Sequence, residues 1–402
     1  MNSINFSSPE FINDPYPTYQ LLLETGEPYL LSPNQQVNTS GIMKTSGIWL
    51  FSRYEDVMTL LKEKETISKQ ISLARAPEKI RAFDLTLLNQ DPPTHTRLRD
   101  VIRNSFTAKK IAELEPKIKQ IVQQLILNMS KQTEVDFITD FARPLPIAII
   151  AEMIGIPPSD HNKIYLWSKK IASGFDSVVL NPEIYQQQTN ALEETNDYFD
   201  YLVHHYRQNP SDNLICLLLK AFDNSEIDHS EMLTMIIVLL IGGHETTIQL
   251  LGSGLLTLLH HPEQFELLKK QPEYMASSIE EMLRFESPLQ RTTFRITTQD
   301  FEINGKHIAA GEQVAGILGA ANRDPSQFSE PHKFDITRSP NAHLAFGLGI
   351  HACLGSFLAR TEARIAFSEI LANLPNIRLA SQAPQWNCTT IFRGLQSLPI
   401  LC

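Results

Sequence analysis

The segment Phe346-Gly347-Leu348-Gly349-Ile350-His351-Ala352-Cys353-Leu354-Gly355 concentrates residue types that suit metal and cofactor chemistry. Glycines two apart permit a tight loop in which backbone can approach a flat ligand closely. The cysteine closes that loop just before a helical pattern beginning at Leu354, so a helix's positive end and nearby amides favour its thiolate. A thiolate held this way can be an axial haem ligand, pushing electron density onto iron to favour O–O cleavage. A glycine-rich turn carrying an inert buried thiol accounts for the glycines alone, but not for all the specified residues in this order.

A second constellation, Gly242-Gly243-His244-Glu245-Thr246-Thr247, falls in the middle of a long apolar helical pattern. Two mid-helix glycines cost ~1 kcal/mol each relative to alanine, and close packing of helix backbone against a flat cofactor gives them a reason. Beside them, Glu245 as proton source and Thr246 as relay can carry protons into a buried pocket. The competing reading is a threonine bonded back to its own helix with Glu245 exposed. The run His244 to Ile248 approaches the zinc-protease pattern H-E-x-x-H, but Ile248 replaces the second histidine, so the ligand pair is missing. His244 reads as a helix residue at a tolerant position.

Cations come from several places. In Asp91-Pro92-Pro93-Thr94-His95-Thr96-Arg97-Leu98-Arg99, His95 and Arg99 are spaced i, i+4 and can point the same way, whereas Arg97 and Arg103 read as solvent-facing. Glu281 and Arg284 stand at i, i+3, a spacing common among exposed ion pairs.

These motifs carry a resemblance. The cysteine segment is similar to the haem-binding signature of the cytochrome P-450 family, F-G-x-G-x-H-x-C-x-G, with every defined position matched. Gly242 to Thr247 resembles the family's oxygen-activation motif, small-G-x-acid-T-T/S. Glu281-Met282-Leu283-Arg284 resembles its E-x-x-R, with Arg338 as the later arginine; the three would support the cysteine loop without catalysing. The resemblance covers almost the whole chain, in order from Asp91 to Gly355.

It implies haem b, with Cys353 as the metal ligand and Gly243, Phe346, Gly347 and Gly355 at the cofactor. His95, Arg99, Arg295 and His351 would meet the propionates, and Glu245 with Thr246 would deliver protons toward iron-bound oxygen. The implied activity is a monooxygenase inserting one atom of O₂ into a lipophilic small molecule such as a secondary metabolite. Electrons would come from separate proteins, a ferredoxin and its reductase, since no flavin or iron–sulfur segment is visible. Two other classes stay open: a haem-thiolate enzyme using peroxide or catalysing coupling or isomerisation, and a non-enzymatic haem sensor. The Glu245–Thr246 pair favours the O₂ route.

The elements that must position these residues are mostly helical. Patterns run over Tyr16–Glu24, Arg53–Lys62, Thr94–Phe106, Lys109–Met129, Phe141–Ile154, Asp160–Ala172, Pro182–Arg207, Ser230–His260, Pro262–Lys270, Met275–Phe285 and Leu354–Asn373. The longest must cross the middle of the molecule. Strand signals are Ile48–Phe51 and the stretch Phe294–Val314, with a hairpin turn at Asn304-Gly305. The expectation is a mainly α, triangular cytochrome P-450-like fold with small β-sheets, one domain over 1–402, and haem between the long central helix and the helix after the cysteine loop. Substrate would touch Ser68–Leu88, Ile171–Val179, the helix face including Leu239, Leu289–Thr293 and Ile391–Phe392. Residues Val37–Ser46 look like an insertion.

Composition agrees. The 402 residues are 42% hydrophobic with a formal charge of -10, which argues against a nucleic-acid partner. No stretch reads as a signal peptide or an apolar span of the length a bilayer needs, so a cytoplasmic location with no membrane partner is expected. Cys216, Cys353, Cys388 and Cys402 show no zinc-ligand spacing, and Cys216 reads as a small buried hydrophobe.

Overall fold

The computed structural model describes residues 4–32, 47–70, 86–174, 176, 182–387 and 389–402. Helices dominate. In chain order they are α1 (Pro9–Asn13), α2 (Tyr16–Thr25), α3 (Tyr54–Lys62), α4 (Thr94–Ile102), α5 (Ala108–Met129), α6 (Pro144–Ile154) and α7 (His161–Ser173). Then follow α8 (Pro182–Gln208), α9 (Leu214–Asp223), α10 (His229–His260), α11 (Pro262–Lys270), α12 (Met275–Phe285), α13 (Leu318–Ala321) and α14 (Ser356–Asn373).

The long helix α10 organises the molecule. Its start is fixed by reciprocal bonds: Asp228 Oδ1 accepts from the Glu231 amide at 2.8 Å, and Glu231 Oε2 accepts from the Asp228 amide at 3.0 Å. Its N-terminal half packs in a cluster with α6 to α9, and its C-terminal half in another with α5, α12 and α14. At 32 residues it spans about 48 Å. It is long and apolar enough to cross a membrane by composition, with a mean hydropathy of 1.5 over its most apolar window, which corrects the sequence expectation. That window is 72% buried inside the protein, as suits a core helix.

The strands form small sheets. The largest has the order β1-β2-β8-β5-β3, from Tyr29–Leu31, Ile48–Phe51, Gln313–Gly316, Arg295–Thr297 and Ile67–Ser68. Residues 48–51 run parallel to 313–316, and the other pairings are antiparallel. The register Ser68↔Ile296 brings the chain around Lys69 beside Arg295. The expected hairpin forms between β6 (Phe301–Ile303) and β7 (Lys306–Ile308), turning at Asn304 and Gly305 with φ of 50° and 69°.

Several boundaries differ from the sequence reading. The α-helix from Thr94 stops at Ile102 and tightens into a 3-10 turn over Arg103–Phe106. Residues Ile138–Ala142 form a π-turn ahead of Pro144, whose ring suits a helix start. The helix after Cys353 begins at Ser356, not Leu354. Helices α1, α9 and α13 were not expected; α9 carried a usable signal, Asn213 capping the amide of Cys216 at 2.9 Å. Cys216 is not a buried hydrophobe: it is half-exposed, and its sulfur accepts from the Ser211 amide at 3.3 Å. The Val37–Ser46 insertion lies outside the described residues.

Candidate active site

Two elements meet at Cys353, the loop that carries it and α4, and α14 starts just after it. The loop doubles back so that the Cys353 amide donates to the Phe346 carbonyl at 2.8 Å. Gly347 and Gly349 have φ of 64° and 72°, a region side chains avoid. Gly349 is doubly constrained, because a Cβ there would lie 2.8 Å from the Leu61 carbonyl oxygen. Around Gly355, by contrast, the space is open, and it stands at the N-cap of α14.

Cys353 is exposed, yet desolvation pushes its thiol above the ordinary value, against the Gly355 amide and the Arg99 and Arg360 guanidiniums, which pull it down. A sulfur both accessible and desolvated faces an internal cleft, not open solvent. The helix end and amides were expected to favour the thiolate; burial outweighs them in the free thiol, and a bound metal would displace the proton outright.

Cationic groups crowd one side of this cleft. Helix α4 brings Arg99 to the loop, where Nη2 donates to the Ala352 carbonyl at 2.8 Å. One turn earlier His95 is buried with its ring 4.4 Å from that of His351, and neither of its nitrogens has a partner among the described residues. His351 Nε2 is likewise unpartnered, and burial followed by Lys69, His95, Arg295 and Arg99 holds its pKa down at about 2. Arg295 is buried, with burial lowering its pKa to about 10 and Asp91 opposing. Arg97 instead turns away to Glu231 and the Glu226 carbonyl, and Arg103 is 62% exposed.

The sequence reading missed Lys69. It is fully enclosed, bonds to Thr293 Oγ1, and is pushed far below its usual pKa by burial and by Arg295. Asp91 is the carboxylate facing this group, and it already accepts from Ser68 Oγ and the Lys69 amide. Buried basic groups whose proton affinity is depressed for want of an anion, with orphaned imidazole nitrogens among them, fit a dianionic ligand such as the two propionates of haem. No local pattern marked it: Lys69 follows the short strand Ile67–Ser68 in a polar stretch that reads as substrate wall.

On α10 the accessible positions Val238, Gly242, Glu245 and Thr246 share one face of an otherwise buried stretch. Leu239, named in the sequence reading of this face, is buried in the helical core. A Cβ at Gly243 would sit 2.5 Å from Ile150 Cγ1, so this glycine lets α6 approach, while a Cβ at Gly242 would meet open space. Thr246 Oγ1 donates back to the Gly242 carbonyl at 3.3 Å, the competing reading of that residue. Glu245 is largely enclosed and accepts from Gln249 Nε2 at 3.0 Å. His244 is not at a tolerant position. It has no exposure and both ring nitrogens are bonded.

Beneath the loop, Glu281 and Arg284 are wholly buried and paired at 2.8 Å, and Arg338 Nε reaches Glu281 at 3.1 Å. The guanidinium of Arg284 also donates to the carbonyls of Asn322, Pro331 and Lys333. Next to it, Glu280 holds His343 at 3.0 Å and Arg360 of α14 at 2.6 Å. Of the expected substrate segments, Leu289–Thr293 and Ile391–Phe392 meet each other through a Gln290 amide bond to the Ile391 carbonyl at 2.8 Å. Most of Ser68–Leu88, and 175 with 177–179, lie outside the described residues.

A family model described as Cytochrome P450 matches residues 168–375. The polyketide biosynthesis cytochrome P450 PksS of Bacillus subtilis is 39% identical over 89% of this chain and 89% of its own. The cytochrome P450 monooxygenase PikC of Streptomyces venezuelae is 34% identical over 97% of this chain and 92% of its own. Among solved structures, P450BioI in complex with a hexadec-9Z-enoic acid-ligated acyl carrier protein superposes with a TM-score of 0.91 at 33% identity, covering 98% of this chain and 100% of that one.

Fold and site together define a haem-binding oxidoreductase. The chain belongs to the cytochrome P450 family, whose members bind haem through a cysteine thiolate. It is a haem-dependent monooxygenase acting on a lipophilic small molecule, served by redox partners.

Proposed function

We propose that Cys353 is the thiolate ligand of the haem iron, and that His95, Arg99, Arg295, His351 and Lys69 hold the propionates. The observation that carries this is the accessible but desolvated sulfur of Cys353, set beside orphaned nitrogens of His95 and His351. Bound haem supplies the activation of O₂; the protein supplies orientation and protons. Phe346 gives its carbonyl to the Cys353 amide, Gly347 and Gly349 let the loop turn, and the Gly355 amide points at the sulfur. Gly243 acts at one remove, by seating α6 against α10.

Protons enter from the α10 side. Glu245 holds one at its carboxylate, and Thr246 passes it on by turning its hydroxyl away from the Gly242 carbonyl. Electrons come from a ferredoxin and its reductase, and the protein works in the cytoplasm. The substrate belongs to the polyketide or fatty-acyl type, because PksS is named for polyketide biosynthesis and P450BioI was solved with an acyl-loaded carrier protein.

The test is the absorption spectrum of reduced protein under carbon monoxide, beside Cys353→Ser. A strongly red-shifted Soret band that vanishes in the variant supports thiolate ligation by Cys353. A band unchanged by the substitution overturns it.

A further inference from the structure

His244 is the one fully buried imidazole beside the acid of α10, and its surroundings limit its protonation unusually well. Its Nδ1 lies 2.7 Å from the Leu240 carbonyl. A carbonyl only accepts, so Nδ1 carries the hydrogen and the neutral ring leaves its lone pair on Nε2. That is the less usual tautomer, fixed by the helix's own backbone.

Nε2 faces Ser168 Oγ of α7 at 2.9 Å, and the same hydroxyl lies 3.0 Å from the Tyr165 carbonyl. One hydroxyl hydrogen cannot serve both. With a neutral ring the serine donates to Nε2. With a protonated ring Nε2–H donates to Ser168 Oγ, and the serine hydrogen swings to the Tyr165 carbonyl. Either charge state therefore leaves both imidazole nitrogens hydrogen-bonded, which is rare for a buried histidine, where one state ordinarily strands a nitrogen.

The counter-charge for the second state is adjacent: Glu245 Oε2 is 4.0 Å from Nε2. From α7 the ring faces Tyr165, whose own face is covered by the Arg143 guanidinium at 4.8 Å. From α6 the neighbouring contact is the apolar Ile150 against Gly243. Glu245 is thus the anionic group that bears directly on the ring. Burial lowers the His244 pKa and the Glu245 charge pulls it back up.

We propose that His244 is the charge-coupled partner of Glu245, with Ser168 as the hydrogen-bond switch that lets the ring change charge inside the core. This rests on the proton-delivery role given to Glu245 above. While Glu245 is anionic the ring can take up a proton at Nε2, which donates to Ser168 Oγ as the serine hydrogen turns to the Tyr165 carbonyl. While Glu245 is protonated the ring is neutral and the Ser168 hydrogen points back to Nε2. Because Ser168 sits on α7, which leads toward the expected substrate segment, the seating of that helix also sets whether the switch is assembled.

The experiment is two-bond ¹H–¹⁵N correlation on ¹⁵N-histidine-labelled holoenzyme in its diamagnetic reduced carbon-monoxide form, followed from about pH 8 to pH 5. His244→Asn identifies the signals. The expected result is an Nδ1–H tautomer that takes up a proton below the usual histidine range. Glu245→Gln should weaken that proton affinity about tenfold, because a unit charge at this distance is removed. Ser168→Ala should weaken it in the same direction. An Nε2–H tautomer, or a titration that Glu245→Gln leaves in place, overturns the proposal. The readout needs no turnover. A failure of Glu245 in proton delivery would instead appear as an undiminished yield of product per electron in Glu245→Gln, and the two failures are distinguishable.

Discussion

Arg99 donates a hydrogen bond of 2.8 Å to the carbonyl of Ala352, which lies 253 positions further along the chain and immediately before Cys353. One guanidinium thereby ties α4 to the cysteine loop while its charge faces the cleft. Arg99→Leu removes both functions, and Arg99→Lys keeps the charge but loses the planar fork. Haem retention on titration with a competing apo-globin should weaken ~10- to 100-fold in the leucine variant, the range of one charged hydrogen bond, and less in the lysine variant. Equal haem retention in all three proteins would refute the role.

The pair Glu281–Arg284 is buried completely, and Arg338 shares the same carboxylate. Removing one member of such a group leaves charge without a partner, which costs about 3–5 kcal/mol. Glu281→Gln should lower the urea midpoint accordingly and release haem before global unfolding. A loss under ~1 kcal/mol, the range of exposed pairs, would return the motif to a surface bridge.

Glu280 behaves differently with pH. Burial alone would raise its pKa, but hydrogen bonds from Arg360 and His343 hold it down at about 2, against an ordinary value of 4.5. A depressed folded value means the stabilisation is complete above pH 4.5 and is lost as pH falls toward 2. The contribution is at most ~3 kcal/mol, reduced by solvent at the Arg360 side. Glu280→Gln should flatten the acid limb of the stability curve between those values and leave its neutral limb parallel to the parent.

Glu362, on α14, has the opposite sign. Its carboxyl is buried without a hydrogen-bond partner among the described residues, and burial drives its pKa well above the usual range. The folded protein keeps this proton where the unfolded chain releases it, so stability declines as pH rises from about 4.5. Glu362→Gln should be more stable than the parent at pH 8, with the gap closing toward pH 4. Parallel curves would show that the group is ionised and paired in the native protein.

Much of the chemistry is local and therefore legible in the chain. The positive φ of Gly347 and Gly349, the order of His351 and Cys353, and the capping that begins α10 are consequences of near neighbours. So are the i, i+4 placement of His95 and Arg99 and the hairpin at Asn304-Gly305. Hydrophobic periodicity was enough to assign the long helices, because burying a continuous apolar face requires it.

Only tertiary structure decided the rest, because contacts between distant segments leave no periodic trace. Gly243 gained its meaning from Ile150 of another helix, and Lys69 became part of the cation cluster because β3 pairs beside Arg295. His244 looked tolerant in a helix pattern, yet Ser168 closes over it from α7. The residue types and their order determined which cofactor chemistry this protein can do. The packing of helices and one small sheet determined which buried charges are paired, which are left for a ligand, and where a proton can wait.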